Sequence, residues 1–572
     1  MTEAMDKSLG SVSASISRQP SQEKLAQTSD DGPELAVTGS QLESEQYLSG
    51  IQLFLVLSSM TLAIFLVLMD ASIVATATPK ITGDFHSLDD IGWYGTAYLL
   101  AKWVENLEKA MFKLILTTPL LSCVLQPLSG KIYTYFTVKI TFLAFFAVFE
   151  AGSALCGAAV SSNMLIIGRA VAGLGASGLL NGGYTMLTLI VPEDKQARYR
   201  GILMGLSFFG ILAGPLIGGA LTEYTTWRWC FYINLPAGAV IALGLILIPF
   251  PESQVMADGP RSLRQKLQKL DLIGFLLFTP TVIMLILALQ WGGIKHPWSS
   301  ATIIGLFCGA LGNLLVFLAW EHHMGAEAMI PLSLIRRRII WSSCLNQAFF
   351  IGCTFITSYY FPVYFQAVQE ASPVQSGVGM LPQIVTNMVV TIATGVLVTR
   401  LGYYLPFALA SGVFTSIGAG LVSTLTPTSA TSRRVGFQIL QGFQGLGIQM
   451  PILAVQNAVR KEEAPVASAL VVFSQNLGGA VFLSIAEVIF SNRLRHFLSE
   501  YAPSADAAAL VRAGASAADI KAAVPAELLP AVKLAYSNTF DQVMYLGTGA
   551  AGGAFLVAWG MAWVRINTQK NR

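Results

Sequence analysis

A chain of 572 residues that is 54% hydrophobic and only 12% charged, with a mean hydropathy of +0.60, lies far from the composition of a soluble globular protein. A net charge of +3 scattered along the chain argues against a nucleic-acid surface. The six cysteines, at 123, 156, 230, 308, 344 and 353, stand singly in or against apolar runs without Cys-x-x-Cys spacing and read as free buried thiols.

Residues 1–48 are polar, rich in Ser, Gln and Glu, and hold no apolar core of a cleavable signal. They are expected to form a disordered cytoplasmic tail, leaving the first span to direct insertion. Apolar runs of about 20 residues recur near 50–75, 91–129, 139–160, 163–190, 200–222 and 229–250. A polar linker at 251–271 leads to two further runs near 272–292 and 300–320. A second linker, 321–339, ends in Arg336, Arg337 and Arg338. Six more runs follow near 340–364, 375–399, 404–425, 436–457, 465–490 and 544–564, before a short tail at 565–572. The expected fold is an all-α membrane protein of fourteen transmembrane helices. Six form a bundle over 49–250, two extra helices occupy 272–320, and six form a second bundle over 340–564.

With an even number of spans both termini share a side. Its short loops carry Lys131, Lys139, Lys195, Arg198, Arg200, the cluster from Arg261 to Lys269, Arg336 to Arg338, Arg400, Arg460 and Lys461; the other side has only Lys80, Arg228, Lys295, Arg433 and Arg434. That bias places both ends in the cytoplasm. The outer segment 491–543, Ala-rich with prolines at 503, 525 and 530, reads as an extracellular loop of short helices.

The fifth run contains GILAGPLIGG at 210–219. Gly and Pro would weaken a soluble helix by roughly 1 and 3 kcal/mol each, whereas a membrane helix tolerates them because neighbours re-satisfy the freed backbone groups. Gly210, Gly214 and Gly218, spaced by four, form a smooth face for a second helix, and Pro215 is expected to bend the chain next to Gly214, with Gly219 completing the motif. A weak echo links the two bundles: GKIYTYFTVK at 130–139 and GVLVTRLGYY at 395–404 each open Gly-x-x-x-Thr and carry basic residues. Two related bundles facing one another across a cavity is a transporter arrangement.

Several motifs, in order, resemble the major facilitator superfamily, and within it the fourteen-span drug:proton antiporters that include fungal toxin and multidrug efflux pumps. LMDASIVATATPKI at 68–81 is similar to the first-helix signature, LIIGRAVAGLGASG at 165–178 to that of the fourth helix, and GILAGPLIGG to the fifth-helix antiporter motif. WRWCFYINLP at 227–236 and YYFPVYFQAVQEASPVQSGVGMLP at 359–382 agree as well, so the resemblance covers roughly 50–565. It implies a major facilitator fold in a plasma, vacuolar or vesicle membrane. It also implies a monomeric pump with hydrophobic small molecules and protons as its partners beside the lipid, driven by the proton gradient and using no cofactor. GLGASG at 173–178 follows no strand, and no phosphate-binding loop, metal cluster or nucleophile–base pair is present, so no enzyme is expected.

Two features depart from that pattern. At the inner gate (Gly130, Lys131, Thr134, Lys139 and, in the second bundle, Arg400) Thr134 replaces the usual acid of the loop after the second helix, which removes a gating charge. More disruptive is KWVENLEKAMFKLILTTPLL at 102–121, which brings Lys102, Glu105, Glu108, Lys109 and Lys113 into the second span. Each would cost roughly 2.5–3.5 kcal/mol in lipid.

A proton-coupled exporter needs a titratable group within the membrane. Asp70 lies alone in the first run, Glu150 in the third and Glu487 late in the thirteenth, while Arg169 in the fourth requires an anionic or carbonyl partner. The resemblance assigns Arg169 to proton handling; structural roles are the alternative for all four. Asn346, Gln347, Tyr359, Tyr360, Gln441, Gln444, Gln449, Gln475 and Asn476 fall inside apolar runs and must face inward, toward a substrate cavity or as glue between helices.

The expected function is proton-coupled export of a hydrophobic small molecule, such as a fungal secondary metabolite or a xenobiotic. A siderophore or basic amino-acid carrier is the alternative within transport, and a non-transporting scaffold or an inactive gene model is the alternative if 102–121 is retained. Deleting those residues restores a clean span, and sixty nucleotides of retained intron would keep frame. Sequencing the spliced transcript is expected to show them absent from the dominant message; their presence there would overturn this explanation.

Overall fold

The computed structural model describes residues 47–85, 118–250, 263–293, 296–504 and 524–566. The expected tails, the core of the 102–121 insertion and the first part of the 251–271 linker lie outside the described residues. Regular structure among the described residues is helical. The first half comprises α1 (Gly50–Phe85), α2 (Thr118–Tyr135), α3 (Val138–Gly157), α4 (Ser162–Ile190), α5 (Glu193–Tyr224) and α6 (Asn234–Leu247). A pair, α7 (Leu272–Trp291) and α8 (Ala301–Met324), follows. The second half comprises α9 (Arg338–Val363), α10 (Leu381–Leu401), α11 (Leu405–Val422), α12 (Thr431–Gly442), α13 (Met450–Ala458), α14 (Ala464–Tyr501) and α15 (Leu529–Ala558).

Among the described residues, eleven helical segments are long and apolar enough to cross a membrane. The remaining three expected spans correspond to α2, described from Thr118 onward, to α5, and to a run that is broken rather than continuous. That twelfth run, expected as one helix over 436–457, splits into α12, a tight turn at Phe443–Leu446 and α13. Gly442, Gly445 and Gly447, close to Pro451, weaken the helix there.

A second difference concerns 491–543. At its two edges, α14 continues to Tyr501 and α15 starts at Leu529, while 505–523, where short helices were expected, lie outside the described residues. Arg493 and Arg495 lower the hydropathy there, but Leu494 and Leu498 keep helical spacing and pack with Tyr536 and Phe540 in one core cluster. At 1.5 Å per residue the 38 residues of α14 span ~57 Å, well beyond a ~30 Å hydrocarbon layer.

Small residues set the helix crossings. A methyl group on Gly210 would stand 2.5 Å from the Phe65 carbonyl oxygen, and one on Gly214 2.0 Å from Ser72 Oγ, so α1 and α5 meet along the expected glycine face. Gly218 is buried on the same helix, whereas Gly219 has nothing within 4 Å. For Pro215 only the backbone, inside α5, is described.

The two halves touch at the end rich in Lys and Arg. A methyl on Gly395 of α10 would lie 2.6 Å from the Ala197 carbonyl oxygen of α5, and one on Gly130 of α2 2.8 Å from Val466 Cα of α14. These are the two glycines of the Gly-x-x-x-Thr echo. Their threonines behave alike too: Thr134 Oγ1 donates to the Gly130 carbonyl at 2.9 Å and Thr399 Oγ1 to the Gly395 carbonyl at 2.8 Å. Each hydroxyl is thus satisfied within its own helix, and each glycine lets a helix of one half approach the other.

The α7–α8 pair packs through α7 on α2 and α14. Its basic end is knitted by Asp271, at φ 50°, which accepts from Gly274 N (2.9 Å), Trp320 Nε1 (2.8 Å) and Met329 N (2.8 Å). Glu321 accepts from Ile330 N at 2.8 Å, and Lys131 of α2 donates to the Glu327 carbonyl at 3.2 Å.

Gly210→Ala is expected to lower thermal stability in detergent, because overpacking against a fixed backbone costs about 1–3 kcal/mol. Gly219→Ala should be neutral. A fluorescence size-exclusion melt of both variants checks this; equal behaviour would show that the α1–α5 seam does not depend on close approach.

Candidate functional site

Four helices and the turn before α6 converge on Asp70. Its carboxylate, fully buried on α1, meets the fully buried Arg169 of α4, with Arg169 Nη1 2.6 Å from Asp70 Oδ2. Arg169 Nη2 also donates to the Asp70 carbonyl at 3.4 Å. The guanidinium lies 5.6 Å from the centre of the Phe231 ring, which shields it on one face. Asn234, the first residue of α6, donates its amide to Asp70 Oδ1 (3.4 Å) and to Ser153 Oγ of α3 (3.1 Å). Glu150 precedes Ser153 by one turn of α3, so both lie on the same face. The Glu150 carboxylate sits over Gly238 of α6, where a methyl would be 2.4 Å from Oε1. Both Glu150 oxygens are shielded and accept no hydrogen bond from any described residue.

The local sequence explains this assembly. Gly152 lets α3 and α4 cross so closely that a methyl would be 2.2 Å from Ala172 N, bringing Glu150 and Arg169 to neighbouring levels. Gly238 leaves room for the Glu150 carboxyl, which any larger side chain would displace. A buried ion pair whose second carboxylate oxygen is held by an amide stands next to a carboxyl with no donor among the described residues, so two acids able to take up a proton share one site.

Asp70, Glu150 and Arg169 are thus brought together, whereas Glu487 is exposed on α14 of the other half, away from them. Asn234 and Ser153 were not singled out from the sequence. Asn234 carried a readable signal, an amide at the start of an apolar run; Ser153, one hydroxyl among many, carried none.

The amides and tyrosines of the second half have mixed roles. Asn346 donates to the Ala554 carbonyl (2.6 Å), Gln347 to Gln475 Oε1 (3.1 Å), Gln441 to Thr357 Oγ1 (2.7 Å) and Gln444 to the Phe350 carbonyl (3.1 Å) and to Thr354 Oγ1. Each of these contacts joins two helices of the second half. Gln449 is buried with its carbonyl oxygen unpartnered, Asn476 is half-buried, and Tyr360 packs on Phe490. Tyr359 is 41% exposed, on the opposite side of α9 from the buried Phe361 and Thr357, and its ring packs on Phe355.

Of the residues expected at an inner gate, Lys139 pairs with backbone carbonyls. Its ammonium donates to the Ile246 (3.1 Å) and Ile248 (2.7 Å) carbonyls and so caps the end of α6. Lys131 is buried and directed to the α7–α8 pair, while Arg400 is exposed. Asp271, Glu321 and Glu327, at the basic end of the extra pair, are the acids that act on the Lys131 ammonium among the described residues.

Residues 60–483 match the family model of the Major Facilitator Superfamily. The chain is 47% identical over 537 residues to the MFS-type transporter pigP of Monascus ruber, covering 94% of this chain and 90% of that one. It is 48% identical over 528 residues to the efflux pump mokI of Monascus pilosus, covering 91% and 93%, and 46% identical over 535 residues to the efflux pump mlcE of Penicillium citrinum, covering 92% and 93%. Its fold is similar to the human organic anion transporter MFSD10, with TM-score 0.53 and 12% identity, over 88% of this chain and all of that one. It is also similar to a bacterial homologue of the human lysosomal transporter Spinster in an inward-facing, unoccupied conformation, with TM-score 0.51 and 15% identity, over 90% of this chain and all of that one. By family model, relatives and fold alike, this chain belongs to the Major Facilitator Superfamily and is a membrane transporter.

Proposed function

We propose that this protein is a proton-coupled efflux pump that exports a hydrophobic small molecule, of the kind made by fungal secondary metabolism or met as a xenobiotic, with both termini in the cytoplasm of a plasma-membrane monomer. The observation that carries the reading is the Asp70–Arg169 pair, fully buried between α1 and α4. Two relatives named as efflux pumps support the direction of transport.

The coupling follows from charge. With Asp70 ionised, Arg169 and Asp70 hold α1 and α4 together. A proton on Asp70 removes the anion, frees Arg169 from its strongest contact and lets α1 move relative to α4. Because α1 is seated on the glycine face of α5, and α5 crosses α10 of the other half, that movement reaches the contact between the halves. Glu150, one turn from the Ser153 that Asn234 joins to Asp70, is the second proton acceptor. Protons from the outer side would thus exchange for substrate from the inner side, with the gradient as the only energy source.

Deleting the protein from its native host should raise the intracellular level of one class of compound, and restoring it should clear that class in a protonophore-sensitive manner. Clearance that ignores the protonophore would sink proton coupling. Arg169→Ala is expected to abolish export and, by leaving Asp70 buried and unpaired, to destabilise the protein by about 3–5 kcal/mol. Asp70→Asn should abolish export while membrane insertion persists. The double variant Asp70→Asn with Arg169→Gln should regain most of the stability but none of the export, which separates the structural role of the pair from its role in coupling.

A further inference from the structure

Among the described residues two arginines are buried to 1% exposure or less, and one of them has an acid partner. Arg169 meets Asp70. Arg200, on the basic end of α5, meets none: its Nη2 donates to the neutral Gln456 Oε1, its Nε and Nη1 have no hydrogen-bond partner, and it forms no ion pair with any described residue. The guanidinium carbon is 5.6 Å from the centre of the Tyr184 ring on α4, and the Tyr184 hydroxyl faces the Gln449 amide. Gln456 is itself held by donating to Ser468 Oγ at 2.9 Å. Arg200 and Tyr184 belong to the first half, and Gln449, Gln456 and Ser468 to the second. The cation therefore stands on the contact between the halves, at the end where Gly201 and Gly395 close it.

An arginine cannot shed its charge, so a permanently charged group walled off from water without a counter-charge is a site waiting for an anion. The wall around it is one aromatic face and neutral amides, which stack and hydrogen-bond but bring no second charge. One cation balances one negative charge, and the planar guanidinium matches the two oxygens of a carboxylate. The site opens only when the halves part at this end, as a transport cycle requires. From these facts we propose that Arg200, with Tyr184, Gln449 and Gln456, receives the carboxylate of the transported molecule, so that the substrate class is hydrophobic monocarboxylic acids rather than neutral compounds. This rests on the efflux reading above and narrows its substrate.

The test has two arms. In the native host, the deletion strain is restored with wild type, Arg200→Gln or Arg200→Lys, and cell extracts are split on an anion-exchange resin at pH 8 into retained acids and unretained neutral compounds. Wild type is expected to clear acids, Arg200→Gln to leave them at least about tenfold higher in the cell, the loss expected for one charge-assisted hydrogen-bonded pair, and Arg200→Lys to clear most of them. Clearance confined to neutral compounds, or acids cleared equally by Arg200→Gln, overturns the proposal. If no compound responds to wild type, it is the efflux reading that fails. The second arm still decides the anion site: purified full-length wild-type protein in nanodiscs is titrated with 1-pyrenebutyric acid and with its methyl ester. Acid bound at least about tenfold tighter than ester supports the site; equal affinity, preference for the ester, or binding of neither overturns it. This arm needs no variant, so it holds even where Arg200→Gln does not fold.

Discussion

A charge or an unpaired polar group in hydrocarbon must find its partner inside the protein, because no water is there to supply one. The Asp70–Arg169 pair is the sharpest instance, and the helices around it are arranged to allow it. Gly152 draws α3 onto α4, Gly238 makes room for Glu150, and Asn234 satisfies the oxygen of Asp70 that Arg169 does not use. The same constraint explains the amides of the second half. Asn346, Gln347, Gln441 and Gln444 each spend a donor on another helix, so they join α9 to α12, α14 and α15 and to the turn after α12. Whatever line a substrate path takes through that half, these donors are already engaged.

Close packing performs the mechanical part. The glycine faces of α5 serve two partners at different heights: Gly210 and Gly214 admit α1, while Gly201 admits α10 of the other half. In the proposed cycle such a helix would carry a shift at the Asp70 level to the contact between the halves, since a backbone-to-backbone crossing has little slack. Thr134, which breaks the family pattern at the inner gate, fits the same logic. It returns its hydroxyl to Gly130 and leaves the α2–α14 crossing tight, while the acids near Lys131 are Asp271, which caps α7, Glu321 of α8 and Glu327 of the turn that follows. The two extra helices are thereby joined to α2 rather than appended to the fold.

Composition, span periodicity and ordered motifs were sufficient to read an all-helical membrane fold, its family, the glycine face of α5 and Asp70, Glu150 and Arg169 as candidates, because each depends on local pattern: a charge in an apolar run, or small residues spaced by one helical turn. The internal echo was legible as two short strings. Only the fold showed that its glycines occupy matching crossings and its threonines make the same bond.

Other features had no local signature. Which carboxylate Arg169 meets, that Glu150 rests on Gly238, and that Lys139 caps α6 are decided by contacts between residues far apart in the chain. The continuation of α14 past 490 was hidden because hydropathy falls at Arg493 and Arg495 while the buried face carries on. Arg200 is the clearest case. In the sequence it is one of several basic residues near the expected inner loop. Its burial without an acid exists only where α4, α5, α13 and α14 meet, since burial belongs to the assembled structure and charge to the residue.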